Sequence, residues 1–236
     1  MNKNVNYANS SLNKSNKNLK DAYEKCNPNN KKILFMPHWL DFYANTIKSE
    51  SQKKKLYFKR YKKGSIIYVK LGSNIGSEFS GNHFCVVLDN QDNKGKETIT
   101  IVPLSSKENE NYIQLDTNIF DLTVKELGDK NREHKEIISN ILNKYGEKIQ
   151  GNELEVKDLI TLKTIKKEVE ELSVLIDMYS KHKNKKSFAN ISAITTVSKR
   201  RISKINNSDP TGNIFVSKND ISNIHEQISI KFLQND

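Results

Sequence analysis

A fold of the α+β class, mainly β at its centre, is predicted for this 236-residue chain by three features. Short runs rich in Ile, Val and Tyr at 65–71, 84–89 and 98–104 are bounded by Gly, Asn and Asp, the signature of strands. Strands packed so closely in sequence predict a small barrel. A charged segment with helical apolar spacing, 117–186, interrupts the strands, and an amphipathic helix over 217–232 closes the chain.

In chain order, residues 1–30 are expected to be disordered or loosely attached, because the first 18 contain seven Asn and few apolar residues. A short helix is allowed over 19–26. Residues 31–63 read as a helical, basic-aromatic extension. After the Asn27-Pro28-Asn29-Asn30 turn, Pro37 is placed at a first helical turn, with Trp39, Leu40, Phe42, Tyr43 and Ile47 following and needing a surface to pack on. The stretch 52–63 carries seven basic residues among Leu56, Tyr57, Phe58 and Tyr61. That mixture suits nucleic-acid phosphates and bases, and equally suits an amphipathic element with solvated lysine stems.

The barrel is assigned to 64–116 and 187–236, with 111–116 as a fourth strand. Between the first two strands, 72–83 is too long for a tight hairpin and holds Gly72, Gly76 and Gly81, which predicts a mobile flap including Gly76, Ser77 and Glu78. Residues 117–186 read as an inserted helical hairpin. One helix carries Ile137, Ile138, Ile141, Leu142 and Tyr145, followed by a break at Gly146 to Asn152. In the second helix Leu162, Ile165, Val169, Leu172, Ile176 and Tyr179 alternate spacings of three and four, a coiled-coil-like seam. His134 and His182 stand alone in this segment and are expected to be solvated, and Lys181 to Lys186 form a second basic patch. In the last helix Ser217 is the expected N-cap, with Asp220 in the first turn and Ile221, Ile224, Ile228 and Phe232 on one face.

Charge and composition narrow the functional classes. A formal net charge of +11 favours an anionic partner, nucleic acid first. No run of 18 apolar residues is present, so no membrane span is expected, and the first residues lack the apolar core of a signal peptide; a cytoplasmic location follows as the expectation. Cys26 and Cys85 have neither metal nor redox spacing, and no Gly-Lys-Ser/Thr follows the flap glycines, so neither a metal, a cofactor nor a phosphate-binding Walker loop is expected.

The stretch from Gly64 to Lys107 reads GS, GSEFSG, NHFCVVL and ITIVPLSS in order, and it resembles the PemK/MazF-type toxins of bacterial toxin-antitoxin systems. A weaker resemblance covers SFANISAITTVSKRRISKI from Ser187. The resemblance implies an SH3-like barrel that dimerises, cuts single-stranded RNA without metal and is neutralised by an antitoxin protein. His83 stands where the family has its catalytic Arg, and Ser105 where it has its catalytic Thr. Ala193 and Thr195 occupy two further positions that are polar RNA contacts in the family.

Chemically, cleavage by the neighbouring 2'-hydroxyl needs a base, an acid and donors for the phosphorane charge. A histidine titrating near neutrality can be the base or the acid. Ser105, Ser106 and Lys107 can donate to phosphate oxygens. Lys59, Arg60, Lys199, Arg200 and Arg201 are the further candidates for holding RNA. Glu78 either orients His83 or is an ordinary loop carboxylate. The leading expectation is therefore a metal-independent endoribonuclease. The alternative is a catalytically inactive barrel that binds nucleic acid or protein, and a toxin acting on a protein target is a third reading from fold analogy.

Overall fold

The computed structural model describes residues 3–27, 29–52, 56–145 and 154–233. They divide into two compact units, one made of residues 3–52 with Leu71–Gly81, the other of Leu56–Lys70 with the chain from Asn82 onward.

The first unit is helical. Helix α1 (Lys3–Lys25) runs through the stretch whose composition predicts disorder. No Gly or Pro interrupts those 23 residues, so low helix propensity is not enough to break them, although nearly every residue stays exposed. Helix α2 (Lys31–Glu50) starts earlier than expected because Asn30 caps it, its side chain accepting from Lys32 N at 3.1 Å. Pro37 consequently lies inside the helix, not in its first turn. Pro28, in the preceding turn, lies outside the described residues.

The aromatic cluster of α2 finds its surface at Gly72. A Cβ there would come within 2.7 Å of the Trp39 indole, and φ is +96°, so only glycine suits the position. Phe42 and Tyr43 pack on the same indole with ring centroids at 5.6 and 6.2 Å. The segment expected to be a mobile flap is organised on Asn74, whose amide donates to Phe79 O at 2.8 Å and Leu71 O at 3.3 Å. Lys32 of α2 ties it down, Nζ donating to Asn74 O at 3.1 Å and also to Gly76 O.

The second unit is built on an antiparallel sheet. Its strands are β1 (Ile66–Gly72), β2 (Gly81–Val87), β3 (Thr98–Ser105), β4 (Ile113–Gln114), β5 (Phe188–Ala189), β6 (Thr195–Ser198) and β7 (Ile202–Ser203). They lie in the order β4-β5-β3-β2-β1-β7, with β6 also paired to β3. The path does not close on itself, so among the described residues the expected barrel is an open sheet and helix outweighs strand. The 187–205 stretch, read as one strand, is three short ones separated by 3-10 turns at Ile191–Ala193 and Lys199–Arg201.

Helices α3 (Ile119–Tyr145) and α4 (Val156–Ser180) pack against each other as the expected hairpin. The break at Gly146 to Asn152 lies outside the described residues. Beside it, Tyr145 OH donates to Asp158 at 2.6 Å and Lys144 pairs with Asp158 and Glu155, both at 2.9 Å, which fastens the two helix ends together. The sheet residues Ile66, Val86, Val102 and Leu104 share one core with Leu127, Leu172, Leu175 and Tyr179 of the hairpin.

The seam differs from the sequence reading by one position. Val169 and Ile176 are exposed, whereas Leu175 is fully buried. The inward row is Ile165, Glu168, Leu172, Leu175 and Tyr179, which keeps the three-four spacing but admits a carboxylate. Glu168 is there because His134 is not solvated: it is buried in α3, its Nε2 2.6 Å from Glu168 Oε2.

Helix α5 (Lys218–Phe232) begins with the expected Ser217 cap as a reciprocal capping box with Asp220. Ile224 is buried and Ile221 and Ile228 pack on the core, but Phe232, the last residue of the helix, is exposed. The Asp220 carboxylate also receives Asp116 N at 2.8 Å, Thr117 N at 3.2 Å and the Thr117 hydroxyl. Burial pushes its pKa up, yet these hydrogen bonds outweigh burial and hold it below the usual carboxylate range.

Candidate active site

Strands β2 and β3 pair with Cys85 opposite Pro103, Val86 opposite Val102 and Val87 opposite Ile101. The pairing ends at Cys85 and Pro103; His83 and Ser105 lie two residues beyond it, each within its own strand, and the same register continued would set them across from one another. Side chains alternate between faces along a strand, so Phe84 and Val86 turn towards the core while His83 and Ser105 share the other face. The sequence reading starts β2 at Phe84; the strand begins at Gly81, which is what gives His83 a fixed direction.

The His83 ring is anchored. Its Nδ1 lies 3.1 Å from Leu104 O, and a carbonyl can only accept, so Nδ1 carries a proton and donates it. In the neutral imidazole Nε2 is then the basic nitrogen. Ser105 Oγ accepts from Lys107 N at 3.0 Å, a short turn that leaves the hydroxyl proton for another acceptor. Ser106 and Lys107 follow, both exposed. The anchored imidazole, the Ser105 hydroxyl and the exposed Lys107 thus lie towards one end of β3.

Lys199 and Lys59 are at the other end, while Arg201 leads into β7, which pairs with β1. Lys199 donates its backbone N–H to Glu97 O at 2.8 Å, just before β3, and β6 pairs Ser198 with Thr98. The eight residues of β3 therefore separate this group from Ser105 by about 23 Å at the rise of a strand. Lys199 is not available to RNA: its ammonium is buried, 2.6 Å from Asp92 Oδ1, and also donates to Asn93 O at 3.1 Å and Lys59 O at 3.3 Å. The side chains of the pair are 1% and 0% exposed.

Lys59 is engaged as well, its Nζ 2.6 Å from Asn213 Oδ1 and 5.6 Å from the centre of the Tyr61 ring. Burial and the nearby Lys204 lower its pKa, against the opposing effect of Asp209. Arg60 is exposed, and Arg200 and Arg201 are half-buried. Gly76, Ser77 and Glu78 belong to the other unit, with α1 and α2.

The face of β2 turned away from His83 carries features that sequence reasoning missed. Phe84 packs on Tyr68, Tyr179 and His182 with ring centroids at 5.1, 5.7 and 5.5 Å. His182 is therefore half-buried in an aromatic cluster, and burial, with Lys185 and Lys181 adding to it, lowers its pKa. Tyr179 OH donates to the buried Asp209 at 3.0 Å. A helix ending in Tyr-Ser-Lys-His beside a basic run gave no hint of this packing.

Among the described residues no cluster of His, Cys, Asp and Glu has the arrangement of a metal site, and no helix is long and apolar enough to cross a membrane. No curated protein matches the chain. The matched family region starts just before β1 and ends within α3, so it contains His83, Ser105 and Lys107 but not α4 or β5 to β7. Residues 62–139 match the family model of the PemK-like, MazF-like toxins of type II toxin-antitoxin systems, so this part of the chain is similar to a PemK-like toxin domain.

Proposed function

We propose that the protein is a toxin-like endoribonuclease that cleaves single-stranded RNA by attack of the 2'-hydroxyl on the adjacent phosphate. The observation that supports this reading is the contact of His83 Nδ1 with Leu104 O, the residue before Ser105, within the segment that matches the PemK-like family model. His83 Nε2 accepts the 2'-hydroxyl proton, O2' bonds to phosphorus, and the 5'-oxygen leaves with a proton returned by the imidazolium. Ser105 Oγ–H and Lys107 stabilise the charge on the non-bridging oxygens. The products are a 2',3'-cyclic phosphate and a 5'-hydroxyl. Because the substrate supplies its own nucleophile, the step needs no metal-bound hydroxide.

Histidine replaces a permanently charged guanidinium imperfectly as a phosphate clamp, but it can do what Arg does poorly, which is exchange a proton near neutral pH. An antitoxin protein, a homodimeric state and action in the cytoplasm complete the proposal, all by analogy with the family.

The test is incubation of the purified protein with a long single-stranded RNA in EDTA, mapping cut sites and end chemistry. Cyclic phosphate and 5'-hydroxyl ends are expected, with His83→Ala slower by about 10²–10⁴-fold and Ser105→Ala by about 10²-fold. Cleavage by His83→Ala at the wild-type rate removes His83 from the mechanism. Intact RNA with both proteins, alongside retained binding, replaces the enzyme by a nucleic-acid-binding module.

A further inference from the structure

The row that holds His83 and Ser105 continues across the sheet. Strand β5 pairs Phe188 with Ser105, and β4 pairs Gln114 with Phe188. Paired residues point to the same face, so Ser105, Phe188 and Gln114 form one line across β3, β5 and β4, which His83 joins when the β2–β3 register is carried two residues past its last pair. The neighbouring row, Leu104, Ala189 and Ile113, turns to the opposite face and joins the core. Three strand spacings separate the ends of the line, about 14 Å.

At its far end Lys186 Nζ donates to Gln114 Oε1 at 3.2 Å, and both residues are exposed. This hydrogen bond positions the ammonium beside the amide, whose own N–H groups remain donors. Phe188 between them is buried and offers no polar group. Lys107 and Lys186 leave the sheet at the same end, one just after β3 and the other just before its antiparallel neighbour β5. The far end of the line is thus a second cationic, donor-bearing point. It is too far from His83 to touch the same phosphate and too close to be an unrelated surface.

We infer that Lys186 and Gln114 form a remote phosphate subsite, binding the RNA backbone more than one nucleotide away from the bond held at His83 and Ser105. The inference rests on the RNA reading above. It orients the substrate across the strands, and it gives the segments flanking the helical hairpin a part in RNA binding, since Gln114 precedes α3 and Lys186 follows α4. Lys186 is a positioning residue here: it holds substrate and does not enter the chemistry.

The test uses the full chain and uncleavable 2'-O-methyl oligonucleotides of two and six residues, with affinity read by fluorescence anisotropy over a range of salt. Six-residue strands are expected to bind the wild type more tightly than dinucleotides. Lys186→Ala should weaken the six-residue strands about 5–10-fold, leave dinucleotides unchanged and reduce the salt slope by about 0.7, the value for one phosphate on a single strand. Gln114→Ala should show the same length dependence at smaller size.

Equal losses at both lengths, no loss at either, or no preference of the wild type for the longer strand overturn the subsite. Binding is read on strands that cannot be cut, so the result stands apart from the His83 test. If His83→Ala leaves cleavage unchanged while the length dependence holds, the catalytic assignment fails and the subsite survives. Where cleavage is measured, Lys186→Ala should raise KM on long RNA with kcat kept, a split that mere structural damage does not produce.

Discussion

Replacing Lys199 by Met separates a phosphate ligand from a structural ion pair. Met keeps most of the stem and removes the charge. The ammonium it replaces lies 2.6 Å from Asp92 Oδ1, and neither side chain has appreciable exposure. Asp92 would retain the backbone donors Tyr61 N at 2.8 Å and Asn93 N at 2.9 Å, but no counter-charge. Leaving one partner of a buried pair costs about 3–5 kcal/mol, since the surviving charge stays desolvated. Typical domains are stable by about 5–15 kcal/mol, so the loss is a large share of the total.

Urea unfolding at neutral pH followed by circular dichroism reads the effect. With a slope of about 2–3 kcal/mol/M, the midpoint of Lys199→Met should fall by about 1–2.5 M. Lys107→Met, at an exposed position, is the control and should move it by no more than the about 0.5 kcal/mol of a surface change. If Lys199→Met behaves like that control and lowers RNA affinity instead, the ammonium reaches solvent and the structural assignment is wrong.

Three further outcomes follow from the packing. Leu175→Ala should destabilise by about 2–5 kcal/mol, whereas Ile176→Ala, at 52% exposure, should cost no more than about 1 kcal/mol; equal losses in chemical denaturation would return the seam to its unrotated position. Gly72→Ala should cost about 2–4 kcal/mol from the 2.7 Å approach to Trp39 and the positive φ, and should shift the Trp39 emission, which an unchanged spectrum and midpoint would contradict. Asp220 has a folded pKa below its unfolded value, so its contribution is complete above the unfolded value of about 3.9 and is lost as pH falls through the lower folded one. Urea midpoints between pH 7 and pH 3 should therefore fall less steeply at the acid end for Asp220→Asn, which starts less stable at pH 7; parallel curves would remove Asp220 as an acid-sensitive cap.

The strands were legible because their chemistry is local. β-branched runs between turn residues gave β1, β2 and β3 to within a few residues, and the motifs between Gly64 and Lys107 pointed to His83 and Ser105 before any register was known. The helical seam was half legible. Val169 and Ile176 fit the three-four spacing, and so do Glu168 and Leu175; hydrophobicity alone prefers the first set, and only a buried partner such as His134 decides for the second. The short strands β5, β6 and β7 were hidden because each is too brief to show alternation. The fate of the basic residues was least legible, since a run of Lys and Arg looks the same whether a buried carboxylate or solvent receives it.

That last point bears on how RNA would be held under the proposed function. The sequence reading grouped Lys59, Arg60, Lys199, Arg200 and Arg201 with His83 and Ser105, but Lys199 and the Lys59–Arg60 segment beside it stand about 23 Å from Ser105 along β3, whereas Arg201 leads into β7, which pairs with β1. The Debye length is about 8 Å at physiological ionic strength, so at nearly three such lengths a surface charge contributes little to the potential at the scissile phosphate. Local charge at Ser105 would come from Lys107, which follows β3, and from the lysines that precede β5. Arg60→Ala should accordingly leave kcat/KM on a short RNA unchanged at 0.15 M salt, while Lys107→Ala lowers it and flattens its dependence on salt. On long RNA Arg60→Ala should lose affinity only if the strand extends over the whole length of β3. A loss of short-substrate cleavage in Arg60→Ala equal to that in Lys107→Ala would mean that the two ends of β3 serve one phosphate, and the separation drawn from the strand register would have to be abandoned.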